Sequence, residues 1–244
     1  MQIDALALRM RPRGPFEAAD LGARLTQGSA RSLYACYAVA YLPVVALALA
    51  SYDIAAWLPP VVIFLSKPWL DRTILFVLAR AAFGQDTRVG DLWRARGEVW
   101  WRQFFLTWTW RRLSPWRSFT QPVYQLEGLT FGKLGPRVRQ IRRRRKGSAF
   151  LITFAFWVSE SCLEATLLSL LVWFAPAEEG LGLIEAFWAR EDTLFEWVSF
   201  ASYALVVAFI EPFYVAAGFV MYLNRRAELE AWDVEQELRR AFAV

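Results

Sequence analysis

The sequence contains no histidine, and only two of its 244 residues are cysteine. Histidine is the commonest general base near neutral pH and the commonest metal ligand, so its absence removes the most frequent routes to catalysis and to a metal centre. Cys36 and Cys162 lie within apolar runs, where cysteine usually serves as a small buried side chain. The sequence also lacks a phosphate-binding glycine loop, a nucleophile elbow, an HExxH motif and a metal-spaced cysteine pair. It therefore predicts a protein that is not an enzyme and needs neither cofactor nor metal.

Apolar and aromatic residues are in excess. They make up 57% and 16% of the chain, thirteen residues are tryptophan, and the mean hydropathy is +0.27. Soluble domains average about 45–50% apolar residues, and tryptophan favours the two interfaces of a bilayer. We predict an all-α, polytopic membrane protein with interfacial amphipathic helices.

Four apolar runs are predicted to cross the membrane, because about 20 apolar residues cover a hydrocarbon core of about 30 Å. They are 33–50, 54–67, 148–174 and 197–223. Residues 68–83 allow two interpretations. The favoured one is a short second span that leaves the membrane near Lys67, whose side chain reaches the interface, with an interfacial helix beginning at Pro68. The other is a single long, kinked helix.

The distribution of charge predicts the orientation. Residues 84–147 carry fifteen Lys and Arg against four acids, a net charge of +11, whereas residues 175–196 carry six acids against one Arg, a net charge of −5. Basic loops remain on the cytoplasmic side. The basic loop 84–147, the helical tail 224–244 and both termini are therefore predicted to be cytoplasmic.

Several charged residues fall inside the apolar runs, where a charge costs at least about 2.5 kcal/mol. Glu160 and Glu164 share one face of the third span, and helical rise puts Glu160 and Glu211 at about the same depth, roughly 18 Å from the cytoplasmic ends of their spans. One interpretation is a set of structural ion pairs, and the other is a path for protons or cations. The predicted intramembrane cluster comprises Lys67, Asp71, Arg72, Glu160, Glu164 and Glu211.

Two further surfaces are predicted to face lipid or partners. An aromatic helical face with a cationic back is typical of a helix in the headgroup plane. Its members are Trp93, Trp100, Trp101, Phe104 and Trp108. The arginines 142–145 immediately precede a span, which favours an anchor for anionic lipid over binding of nucleic acid. They are Arg142, Arg143, Arg144 and Arg145.

The start of the tail alternates positive and negative charge, which is typical either of a solvated helix or of a docking surface. Its motif consists of Arg225, Arg226, Glu228, Glu230, Trp232 and Asp233.

Several motifs together resemble a family of bacterial inner-membrane proteins encoded near MoxR-type AAA ATPases. They are Lys67-Pro68-x-x-Asp71-Arg72, Arg112-Leu113-Ser114-Pro115-x-Arg117-Ser118-Phe119, Pro122-Val123-x-x-Leu126-Glu127-Gly128 and the tail motif. The tail motif is also similar to the membrane domain attached to some glycerophosphodiester phosphodiesterases, whose catalytic domain is missing here.

The resemblance implies a multi-pass protein of the bacterial inner membrane with membrane or cytoplasmic protein partners. We expect a non-enzymatic scaffold or accessory subunit that docks partners through the basic loop and the tail. Proton or cation transport past Glu160, Glu164 and Glu211 is the alternative, and binding of anionic lipid is a third hypothesis.

Overall fold

The computed structural model describes residues 13–101, 114–129, 131–174 and 193–230, which are mostly helical and contain no strand. The elements are α1 (Pro15–Gly28), α2 (Ala30–Ala50), α3 (Leu58–Ala81), α4 (Val89–Arg94), a π-helical turn (Gly97–Trp101), α5 (Arg117–Leu126), α6 (Phe131–Arg142), α7 (Lys146–Phe174) and α8 (Thr193–Glu230). The predicted all-α class is confirmed for these residues.

Three helices of the described ranges are long and apolar enough to cross a membrane. They are α2, residues 146–170 of α7 and residues 195–230 of α8. The chain is therefore a multi-pass membrane protein by the length and composition of its helices. Helix α3 is not among the three, since Lys67, Asp71 and Arg72 interrupt its apolar sequence.

Helix α3 continues without a break from Leu58 to Ala81. The predicted helix start at Pro68 is wrong, and the alternative of one long helix describes the structure. Proline removes one backbone hydrogen bond, but neighbouring elements can compensate when the site is buried. Pro68 is buried, and Lys67 is only 5% exposed, so Lys67 extends into the bundle and not to an interface.

Helix α8 forms the centre of the bundle and contacts α1, α3, α5 and α7. Small residues allow two of these contacts to be very close. A Cβ on Gly22 of α1 would lie 2.6 Å from the carbonyl oxygen of Ala216, and a Cβ on Gly218 would lie 2.4 Å from the Cβ of Ser118 in α5. The backbones of α1 and α5 thus lie directly against α8.

Helix α5 is inserted among the larger helices, although it belongs to the predicted basic loop 84–147. Ser118, Phe119 and Val123 are buried, and Ser118 packs against Gly218, about 7.5 Å before Leu223 along α8. The loop therefore contributes a buried helix to the bundle. Short helices inside a membrane protein are tolerated when protein surrounds them.

The two ends of the bundle are held by different contacts. One end, here called the basic end, is formed by residues 13, 127, 137, 145 and 222–230. There the Asn224 side chain exchanges two hydrogen bonds with the Arg13 backbone, at 3.0 and 2.9 Å. At the opposite end, the Tyr52 hydroxyl donates to Glu196 at 2.8 Å, and its ring lies 4.3 Å from that of Trp197. The α2–α3 hairpin is thus attached to the first turn of α8.

Candidate functional site: a buried ion cluster beside an aromatic cleft

Lys67 lies between carboxylates from two other helices. Its Nζ is 2.6 Å from Oε1 of Glu160 on α7 and 3.1 Å from Oε2 of Glu211 on α8. The Lys67 and Glu211 side chains are 7% and 2% exposed, and that of Glu160 is 15% exposed. One ammonium group therefore connects α3, α7 and α8 where little water competes for it.

Arg117, at the first position of α5, is the second cation of the cluster. Its Nε lies 2.8 Å from Oδ2 of Asp71, and its Nη2 donates to Oε1 of Glu211 at 2.7 Å. Sequence reasoning names Arg117 only within the motif that ends at Phe119 and does not assign it to the cluster, because it is one of fifteen cations in the basic loop. The available signal was its position before Phe119 and Val123, whose apolar side chains are fully or almost fully buried.

The cluster therefore contains three carboxyl groups and two cations from four elements: Lys67, Asp71, Arg117, Glu160 and Glu211. Buried ion pairs add little net stability over apolar packing, but removing one partner leaves an uncompensated buried charge. The cluster thus makes the association of α3, α5, α7 and α8 mutually dependent.

Two predicted members of the cluster lie elsewhere. Arg72 donates to the backbone oxygens of Glu98 (3.0 Å) and Val99, so its inclusion beside the glutamates is wrong. Arg72 follows Asp71 directly, and helical geometry turns it about 100° away, toward the carbonyls of the π-helical turn. Glu164 lies one turn beyond Glu160 on α7, is half-buried, and forms no ion pair within the described part of the chain.

A cleft of about 220 Å³ opens beside the cluster, between α3, α7, α8 and the residues that precede α5. This space is large enough for several water molecules. Phe64 and Trp157 are more than half exposed, so the mouth lies on an apolar flank of the bundle. The charged lining comprises Lys67, Arg117, Glu160 and Glu211, and the aromatic lining comprises Phe64, Phe156, Trp157 and Tyr214.

The predicted aromatic face is not one helical surface. Trp93 belongs to α4, whereas Trp100 and Trp101 belong to the π-helical turn. Trp100 is 9% exposed, its ring centroid lies 5.5 Å from that of Trp69, and its Nε1 donates to Thr73 at 2.9 Å. Its assignment to lipid or partners is therefore wrong. Trp93 and Trp101 are exposed. The predictions for Phe104 and Trp108 fall outside the described residues.

Acids and arginines connect the basic loop to the end of α8. Arg137 contacts Glu127 at 2.8 Å and also Glu230, and Arg145 contacts Glu228. Partial burial lowers the pKa of Arg137, but its hydrogen bonds to Glu127 and Glu230 have the larger combined effect, so the pKa lies above its ordinary value.

The tail motif contributes to the same network. Arg225 contacts Glu228 and Arg226 contacts Glu230, both at 2.7 Å. Because Glu228 and Glu230 also contact Arg145 and Arg137, the first part of the motif connects α8 to the basic loop. The predictions for Trp232 and Asp233 fall outside the described residues.

The basic end carries a second, unburied set of cations. Leu134, Val138 and Ile141 turn one face of α6 into the bundle, and Arg142 lies over the ring of Trp116 at 4.5 Å. A row of exposed cations begins on the opposite face of α6 and continues through the following turn to the start of α7. It is here called the exposed basic row and consists of Lys133, Arg139, Arg143, Arg144 and Lys146. Of the predicted run 142–145, only Arg143 and Arg144 are fully exposed.

No protein-family model matches the chain, and no curated protein or solved structure matches it either. The class of protein that the fold defines is a multi-pass, all-helical membrane protein.

Proposed function

We propose that this chain is a non-enzymatic scaffold or accessory subunit of the bacterial inner membrane, which holds protein partners at its basic end. In this proposal α2, α3, α7 and α8 all cross the bilayer, and the basic end and both termini are cytoplasmic. The charge distribution supports this orientation, since the exposed basic row lies at the same end as Arg225 and Arg226.

The observation that carries the proposal is the division of cations at the basic end. Arg137 and Arg145 are bound to the acids Glu127, Glu228 and Glu230, and they fix α6 against α8. The exposed basic row is thereby presented on an ordered base. A surface that is already ordered loses less conformational entropy when it binds, which favours a docking role. An acidic protein surface is the complementary partner.

We expect neutralisation of the row to release such a partner. The variant Arg139→Gln/Arg143→Gln/Arg144→Gln should lose proteins that co-purify with the wild-type chain in mild detergent. Its midpoint temperature of thermal unfolding should stay within about 2 °C of wild type, because these side chains are exposed. A tail deletion should begin at residue 231, since Glu228 and Glu230 hold the basic end together.

The matched control is Arg88→Gln/Arg94→Gln/Arg96→Gln, which removes three other exposed arginines and changes the net charge equally. This control should retain the partner. Equal loss in both variants indicates a general effect of charge and contradicts the proposal. Another outcome is that the variant keeps its protein partners but retains less phosphatidylglycerol in nanodiscs than the wild-type chain, with no such difference for phosphatidylcholine. That result assigns the exposed basic row to anionic lipid.

The cleft favours a second candidate function, proton or cation transport. Its charged wall contains Glu160, which is the most exposed carboxylate of the cluster. Proteoliposomes containing the wild-type chain should then show a flux above that of empty liposomes, and Glu160→Gln should abolish it. Glu164→Gln is the matched control and should retain flux, because Glu164 does not line the cleft. A wild-type flux equal to that of empty liposomes rules this candidate out.

A further inference from the structure

Asp71 is fully buried, yet neither of its oxygens accepts a well-aligned hydrogen bond from the described residues. Arg117 Nε is 2.8 Å from Oδ2, but that N–H is also without an aligned acceptor, so this is a charge contact and not a hydrogen bond. An ionised carboxylate that is buried with so few donors is costly. A protonated carboxyl group needs far less solvation.

The partner that suits a protonated Asp71 is Glu211. One guanidinium brings the two carboxyl groups together: Arg117 Nε lies 2.8 Å from Oδ2 of Asp71, and its Nη2 donates to Oε1 of Glu211 at 2.7 Å. A carboxylate can only accept hydrogen bonds, so a bond between two carboxyl groups requires that one of them carries a proton. Two carboxyl groups that share one site hold a proton between them in the same way in other proteins.

The charges around the pair fit one bound proton. Lys67 from α3 and Arg117 from α5 supply two positive charges, while Glu160 from α7 and ionised Glu211 from α8 supply two negative charges. With Asp71 neutral, the cluster is electrically balanced. The remaining groups near the pair are the phenols of Tyr37, Tyr41, Tyr203 and Tyr214, while Arg72 is directed toward Glu98 and Val99.

We propose that Asp71 and Glu211 form a proton-binding site that shares one exchangeable proton, reached from the cleft past Glu160. The proposal rests on the second candidate function and deepens it, because it names the proton as the cation and Asp71 as the group that holds it. Binding of the proton does not require transport.

The route for exchange follows the described contacts. Glu160 and Glu211 both line the cleft, and Lys67 lies between them at 2.6 and 3.1 Å, so the cleft reaches the pair at Glu211. The hydroxyl of Tyr37 is also buried without a hydrogen-bond partner among the described atoms. It provides a further polar group beside the pair.

The first test is the stability of Asp71→Asn, since asparagine has the shape of a protonated aspartate and keeps a donor for Glu211. We expect its thermal midpoint in phosphatidylcholine nanodiscs to stay within about 2 °C of wild type. If Asp71 is instead an ionised partner of Arg117, the midpoint falls by about 10 °C, as expected for breaking a buried ion pair. That result overturns the proposal.

The second test is infrared spectroscopy of the same samples at neutral pH. The wild-type chain should show the C=O stretch of a protonated carboxylic acid, with a shift in D2O. Asp71→Asn should lose the band, and the exposed control Asp86→Asn should keep it. A wild-type spectrum without the band, or a band that persists in Asp71→Asn, overturns the proposal. Transport is tested separately by the proteoliposome flux. If the infrared band is present but no flux is measured, the proton site is supported and only the transport candidate is ruled out.

Discussion

Lys67→Met should lower the free energy of unfolding by about 3–5 kcal/mol, which corresponds to a thermal midpoint about 10 °C lower for a chain of this size. Lys67 contacts both Glu160 and Glu211, and its side chain is 7% exposed. Methionine retains much of the length and apolar stem of lysine, so the loss reports the missing charge and not a cavity. Thermal unfolding followed by tryptophan fluorescence in nanodiscs measures it.

A second substitution should restore part of this stability. In Lys67→Met/Glu160→Gln, the carboxylate left unpaired by the first change is neutral, so the double variant should be more stable than Lys67→Met alone. Lys133→Met, at an exposed position of α6, is the matched control and should unfold within about 2 °C of wild type. A drop in Lys133→Met as large as in Lys67→Met contradicts a specific role for the cluster.

Gly218→Ala should also be strongly destabilising, although it adds a single methyl group. The new Cβ would lie 2.4 Å from both the Cβ and the backbone carbonyl carbon of Ser118, a separation that atoms cannot adopt. Helix α5 must therefore move, and Arg117 moves with it away from Asp71 and Glu211. Overpacking typically costs about 1–3 kcal/mol, and the lost ion pairs add to that cost.

Two further variants separate the clash from the intrinsic effect of alanine. Gly132→Ala, in α6 with open space around its Cα, should be neutral or slightly stabilising. Ser118→Gly in the Gly218→Ala background should restore only part of the lost stability, because the carbonyl carbon at residue 118 remains in the way. Unfolding of Gly218→Ala at the wild-type temperature would show that α5 is not seated on α8 as described.

Periodicity and hydropathy were sufficient to predict the long helices. They predicted helix at 33–50, 148–174 and 197–223, and α2, α7 and α8 cover these ranges, because a long apolar run has few alternatives to a helix in lipid. The depth count put Glu160 and Glu211 at one level, and Lys67 now contacts both of them. Such a count works because helical rise is nearly constant.

The contacts made by short elements could not be predicted in this way. Arg117 belongs to a ten-residue helix whose insertion depends on Gly218, a residue 101 positions later in the sequence. The sequence groups Arg72 with the glutamates because it is a charged residue among apolar ones. Its direction is instead set by carbonyls of a π-helical turn that no local pattern predicts. Local propensity predicts a helix start at Pro68, but Pro68 is buried within the continuous helix α3. Contacts of this kind are determined by tertiary packing, which the local sequence does not predict.

The ion cluster also constrains the order in which the protein can assemble during synthesis. When α3 leaves the ribosome, it carries Lys67 and Asp71, but Arg117, Glu160 and Glu211 follow 46 to 144 residues later. Until then the charges of α3 have no partners, so inserting α3 into the hydrocarbon core is energetically unfavourable. The helix should therefore remain close to the insertion machinery, or near the membrane surface, until α8 has been made. Assembly of this chain is then a late, cooperative event, in which α8 supplies the partners that allow α3 to join the bundle.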